Sequence, residues 1–111
     1  MSSIRTVTLA ATLVLLSGVA FAQATPEQGQ KVFAAAKCII CHSVAGTGNA
    51  KGPLDGVGSK LSAADIRQWI TAAPEMAAKT NAQRKPAMKA YTDMKKDDVD
   101  ALVEYLQTLK K

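Results

Sequence analysis

Cys38-Ile39-Ile40-Cys41-His42 constrains this chain more than any other stretch. Among 111 residues there are two cysteines and one histidine, and all three fall within these five positions. C-x-x-C-H is the spacing of c-type haem attachment. Two thiols three positions apart can each add across one haem vinyl group, and the adjacent imidazole is then held under the iron as its proximal ligand. Other readings are weaker. A structural zinc site takes four Cys or His ligands, and the chain stops at three with no carboxylate candidate. A redox-active dithiol belongs in a thioredoxin-like βαβ setting, whereas the flanking residues read as helix and loop. A plain short-range disulfide ranks below both.

The beginning of the chain reads as an export signal. Met1 to Ala22 holds one early basic residue, Arg5, an apolar run from Leu9 to Leu16, and Ala20-Phe21-Ala22 as an A-x-A cleavage site. Cleavage is expected after Ala22, with Ala24 as the second choice. An uncleaved anchor is disfavoured because Thr6, Thr8, Thr12, Ser17 and Gly18 dilute the run below the roughly 20 apolar residues a span needs. Residues 1–22 are therefore expected to be a secretory signal peptide and 23–111 one domain, with a periplasmic destination. Of the fourteen Lys and Arg, Arg5 would leave with the leader, so thirteen face nine Asp and Glu and the net charge is +4. That excess solubilises, or steers toward acidic partners. Nucleic acid is an improbable partner, since the lysines are scattered without a recognition motif or interleaved aromatics.

Thr25-Pro26-Glu27-Gln28 marks a helix start, with Thr25 as cap, Pro26 at the first helical position and Gln28 closing a capping box. The helix is expected to reach about Ala36. Gly29 costs it roughly 1 kcal/mol relative to Ala, but it shares a face with Phe33, where a missing side chain would let another helix approach. Val44 to Gly58 carries five glycines and a proline and shows no helical or strand period. Ser62 to Asp65 is a second capping signal, followed by Ile66, Trp69, Ile70 and Ala73 at helical spacing until Pro74 stops the run. Trp69 is the only tryptophan; its indole N–H needs an acceptor when buried, and a haem propionate would supply one. Glu75 to Ala82 reads as a short helical turn and Gln83 to Tyr91 as irregular chain. Val99, Leu102, Val103, Leu106 and Leu109 then describe the clearest helix, with Asp97, Asp98 and Asp100 in its first turns and Lys110 and Lys111 at its end, as the helix dipole prefers. Lys95 stands where Ser or Thr would cap better.

Some 89 residues with one Trp, two Tyr and one Phe after loss of Phe21 make a thin core, and domains of this size are marginal alone. A haem would give each helix an apolar disc to pack on. For a sixth iron ligand the soft candidates are Met76, Met88 and Met94. Met88 lies in the irregular segment, with Pro86 stiffening its approach; Met76 follows a helix end and Met94 leads into the last helix, both suited to filling gaps.

Taken in order, these residues resemble class I cytochrome c over essentially the whole of 23–111. The likeness is carried by Gly29 and Phe33 ahead of Cys38-x-x-Cys41-His42, Gly52-Pro53-Leu54, a helix bearing Trp69, Pro86-Ala87-Met88 with Tyr91 behind, and Leu102-Val103-Glu104-Tyr105-Leu106. The resemblance implies an all-α fold in which three main helices and long loops wrap one covalently attached haem c. It implies that Gly29 and Phe33 cross the final helix at Tyr105 and Leu106, and that the Pro53 carbonyl accepts from the His42 ring. It also implies that Met88 matches the family's methionine, so His42 and Met88 would ligate the iron. Cys38, Cys41, His42, Pro53, Trp69 and Met88 form the expected cofactor site.

A six-coordinate haem has no vacant position for substrate, so the expected activity is one-electron transfer and not enzymatic catalysis. Lys37 and Lys89 would flank the exposed haem edge and meet acidic redox donors and acceptors, with Lys51, Lys60, Lys79 and Lys85 as further members of the ring. A soluble monomer is expected. The alternatives are a dedicated haem subunit of a periplasmic oxidoreductase, and a sensor or enzyme with an open sixth position.

Overall fold

The computed structural model describes Ser3, residues 10–14 and residues 23–111. The expected cleavage site at Ala20-Phe21-Ala22, and most of the leader with it, lie outside the described residues. No helix among those described is long and apolar enough to cross a membrane.

The chain opens with α1 (Pro26–Ala35) and closes with α5 (Lys96–Gln107), and these two helices form the main packing contact of the fold. The α1 start is the one its residues specify. Thr25 Oγ1 accepts from Gln28 N–H and Gln28 Oε1 accepts from Thr25 N–H, both at 3.2 Å, which satisfies two donors that the first turn would otherwise leave bare. Gly29 and Phe33 face α5 and are buried. A Cβ on Gly29 would run into the Ala101 carbonyl and the Tyr105 Cβ, so the absent side chain is what lets the helices touch. One turn on, the Phe33 and Tyr105 rings meet edge to face at 5.7 Å, a favoured aromatic geometry. The expected crossing is therefore present.

Between these helices lie the 3₁₀ turn Cys38–Ile40, the two-residue strands β1 (Ser43–Val44) and β2 (Thr47–Gly48), and helices α2 (Val57–Lys60), α3 (Ala63–Thr71) and α4 (Ala73–Thr80). The expected all-α class holds, with five helices among the described residues where three main ones were expected. Two details differ from the sequence reading. Residues 44–58 are not featureless: β1 and β2 pair antiparallel, Ser43 with Gly48 and Val44 with Thr47, and α2 follows. Pro74, expected only to end a helix, also opens one, because it occupies the first turn of α4, where its missing N–H is no loss.

α3 is capped by Ser62, whose Oγ accepts from Asp65 N–H at 3.1 Å. Its Ile66 and Ile70 meet Phe33, Val99, Leu102, Val103 and Leu106 in one apolar cluster. Met76, expected as a gap filler after a helix end, lies inside α4 and is buried with 4% of its surface exposed. Lys95 indeed makes no side-chain cap for α5.

Candidate haem-attachment site

α1 ends at Ala35 with Ala36 as its C-cap, and Lys37 turns the chain with a left-handed backbone, φ 59°. That reversal delivers Cys38 as the first residue of a tight turn and Cys41 as its last, with Cys41 N–H donating to the Cys38 carbonyl at 3.1 Å and His42 N–H to the same oxygen at 2.9 Å. One carbonyl thus folds both ends of the motif together. The thiols are free and half-buried. Cys38 also packs against the apolar cluster, and burial pushes its thiol pKa up, with the neighbouring Cys41 adding to the rise.

The turn is held from outside by Asn49. Its backbone N–H donates to the Ile39 and His42 carbonyls at 3.1 and 3.0 Å, and its side-chain amide donates to the Ile40 carbonyl at 3.0 Å. Gly48, at φ +110°, permits this approach, since a Cβ there would strike the His42 carbonyl. Ile39 and Ile40 themselves remain exposed, at 43% and 65%.

His42 Nδ1 lies 3.0 Å from the Gly52 carbonyl. A carbonyl only accepts, so Nδ1 carries the proton and Nε2 presents its lone pair. Burial lowers the ring's pKa, the bond to Gly52 opposes this, and the Arg84 charge lowers it further. A neutral imidazole with one nitrogen hydrogen-bonded and the other basic is the form that ligates a metal.

The expected partner, the Pro53 carbonyl, is corrected to its neighbour, and the backbone explains why. Ser43 and Pro53 form a parallel bridge in which Ser43 N–H donates to the Gly52 carbonyl at 3.1 Å and Leu54 N–H donates to the Ser43 carbonyl at 2.8 Å. In that pattern the carbonyl before the proline faces the motif. Pro53 itself is exposed and serves by pairing with Ser43.

Met88 is half-buried on an irregular strap between α4 and α5. The strap is pinned on either side of it. Upstream, Arg84 Nη2 donates to the Cys41 carbonyl at 2.6 Å. Downstream, Tyr91 N–H donates to the Ile70 carbonyl at 2.8 Å and its hydroxyl to the Ala36 carbonyl at 3.4 Å. The Tyr91 phenol pKa is raised by burial and then by the charges of Cys38 and Cys41. Trp69 is half-buried on α3 between Ile66 and Ile70, and the Ile70–Tyr91 bond ties that helix to the strap. Met94 packs partly buried against the apolar cluster. Asn49, Gly52 and Arg84 were not singled out for these roles from sequence; only the clustering of Asn49 among glycines hinted at a built turn.

The donor set fits a haem c. Two unbonded half-buried thiols and an imidazole with a free Nε2 sit on one turn, and the strap that bears Met88 is tied to that same turn through Arg84. Comparison with known proteins agrees. A family model described as Cytochrome c matches residues 26–110. The cytochrome c oxidase subunit 2 of Alkalihalophilus pseudofirmus is 36% identical over 93 residues, covering 76% of this chain and 25% of that protein. The chain thus spans about a quarter of the length of that curated relative. No solved structure matches it significantly.

Proposed function

The chain belongs to the cytochrome c family, which holds haem c covalently, and from that premise we propose that it is an exported, periplasmic one-electron carrier ligating its iron through His42 and Met88. The observation that carries the reading is the bond from His42 Nδ1 to the Gly52 carbonyl, which fixes the tautomer, aims the ring and raises the basicity of Nε2.

The bound haem supplies one reversible electron at its iron, with a potential raised by a thioether ligand relative to harder donors. The chain's residues do the rest. Cys38 and Cys41 would form the thioethers by adding their S–H across the haem vinyl groups, and His42 would supply a nitrogen ligand to the iron. Met88 would supply the sulfur ligand, on a strap pinned through Arg84 and Tyr91. An iron held by both His42 and Met88 would offer no vacancy to a substrate, and the chain would act as a carrier and not as a catalyst. Trp69 would offer its indole N–H to a propionate, and Pro53 holds the Gly52 carbonyl in register through its bridge to Ser43.

Lys37 and Lys89 are exposed beside the attachment turn and the strap, and the carrier docks acidic redox partners through them. Electron exchange with such a partner slows as salt rises, because exposed charges steer association and are screened. Stopped-flow rates across an ionic-strength series test this; a rate indifferent to salt would count against it. Reduced holoprotein is also expected not to take up carbon monoxide on mixing. Rapid uptake would support the sensor or enzyme reading.

A second reading is favoured by one finding, the similarity to a quarter of an oxidase subunit. On that reading the chain is the haem-bearing electron-transfer part of an oxidoreductase complex. Gel filtration separates the two, the carrier eluting as a monomer and the subunit with a stoichiometric partner.

A further inference from the structure

We propose that Arg84 is a positioning residue for axial ligation: one guanidinium ties the strap that carries Met88 to the turn that carries His42, and so governs how readily the sixth ligand is released. The inference rests on the reading of Met88 as that ligand.

The geometry puts one side chain in contact with both halves of the site. Arg84 Nη2 donates to the carbonyl of Cys41, 43 residues away and immediately before the proximal histidine. Nη1 lies where a Cβ on Gly52 would stand, and Gly52 supplies the carbonyl that orients the His42 ring. The guanidinium therefore rests on the glycine that aims one ligand, while its own backbone lies four residues from the other. Among the described residues, 83–90 make no backbone hydrogen bond at all. Arg84 is accordingly the polar anchor on the upstream side of Met88, as Tyr91 is on the downstream side.

An exposed arginine is often only a solvated cation, but two features set this one apart. Its donor contact is short, at 2.6 Å to a backbone oxygen, and charge-assisted bonds of this kind are stronger than neutral ones. The second is room: residue 52 is a glycine, and any side chain there would displace the guanidinium. A planar fork can rest on Gly52 while donating to Cys41; a lysine ammonium lacks that fork. The charge also bears on the His42 ring. A fixed positive charge beside the turn that carries His42 would disfavour the ferric state of a bound haem and so hold its potential up.

The test uses ferric holoprotein with imidazole as the probe, which enters the sixth position only when the native ligand leaves. Arg84→Gln is expected to bind imidazole roughly tenfold faster than the wild type, to weaken the far-red sulfur-to-iron band and to lower the midpoint potential. Arg84→Lys is expected to keep most of the potential, through its charge, but to bind imidazole faster than the wild type through loss of the fork. Thr25→Ala serves as control, because it removes a helix cap far from the strap and so lowers thermal stability without touching the clasp; its imidazole rate is expected to stay at the wild-type value. Should Arg84→Gln not accumulate as holoprotein, Arg84→Lys decides alone, a faster rate supporting the clasp and a wild-type rate overturning it. Wild-type rates and band in Arg84→Gln, or an equal acceleration in Thr25→Ala, overturn the role of Arg84 and leave Met88 as ligand. A wild-type protein without the far-red band overturns both, and that spectrum distinguishes the two failures.

Discussion

Gly29 shows how one missing side chain sets the distance between two helices. In an exposed helix, Gly→Ala gains about 1 kcal/mol of helix propensity. Here the added Cβ would meet the Ala101 carbonyl, which belongs to α5 and has nowhere to go. Overpacking of a rigid contact costs about 1–3 kcal/mol or more, and a backbone oxygen puts the cost at the upper end, so the packing term wins. Gly29→Ala is expected to destabilise the holoprotein by about 2 kcal/mol, lowering its Tm by roughly 10 °C, as thermal melts would read. Asp100 illustrates a gentler effect. Its carboxylate accepts from Lys96 Nζ at 2.6 Å and pairs with Arg67. These bonds hold its pKa below the ordinary value of 3.8. A depressed folded-state pKa means stabilisation that is present above 3.8 and lost as pH falls through the folded value. Asp100→Asn should therefore melt slightly below the wild type at pH 7, with the gap closing in acid. A gap that persists at pH 2 would show that the effect is not ionic. At this scale the cysteines, the histidine and Gly29 announced themselves in the sequence, because type and spacing carry their chemistry. Arg84 did not: its partner is 43 residues distant, and no local pattern marks such a contact.

Elements were legible where a local rule specifies them. Thr25 with Gln28, and Ser62 ahead of Asp65, mark the starts of α1 and α3 as capping chemistry predicts. The buried stripe of Val99, Leu102, Val103 and Leu106 is the face the period indicates. The hairpin after the attachment turn was hidden for a physical reason. Its strands are two residues each, too short for alternation to register. The turn is set by Ala45 at φ 50° and Gly46 at φ 83°, and the pairing serves to bring Asn49 onto the motif. The same shortness concealed the choice of carbonyl, since Gly52 faces His42 only because Ser43 bridges Pro53. Lys95 offers a test of the capping rule itself. It precedes α5 with extended backbone and no side-chain bond to the helix, whereas Ser there would accept from the first-turn N–H groups. Lys95→Ser is expected to stabilise the holoprotein by about 1 kcal/mol, and a chemical-denaturation midpoint moved upward would register it.

Across the whole molecule, the chain's own apolar packing is thin for its length. Among the described residues Phe33 is the one buried phenylalanine, and the rest of the cluster is aliphatic. Cys38, Leu54, Val57, Leu61, Tyr91 and Met94 lean on that cluster only partly buried, and Ile39 and Ile40 stand in the open. A domain of fewer than about 100 residues sits near the limit of independent stability. A covalent apolar disc adds buried surface against several elements at once. The haem-free Cys38→Ala/Cys41→Ala chain is accordingly expected to be largely unfolded, with little near-ultraviolet circular dichroism; a native-like spectrum would show that the peptide stabilises itself. Membership of the family accounts for haem-based electron transfer, and the strap pinned at Arg84 and Tyr91 carries the methionine proposed as the second iron ligand. The most direct test is the visible spectrum of the ferric holoprotein beside that of Met88→Ala. A far-red sulfur-to-iron band in the wild type that disappears in the variant is the predicted result. A wild type without that band, whose reduced form binds carbon monoxide at once, would contradict the account by showing an open sixth position.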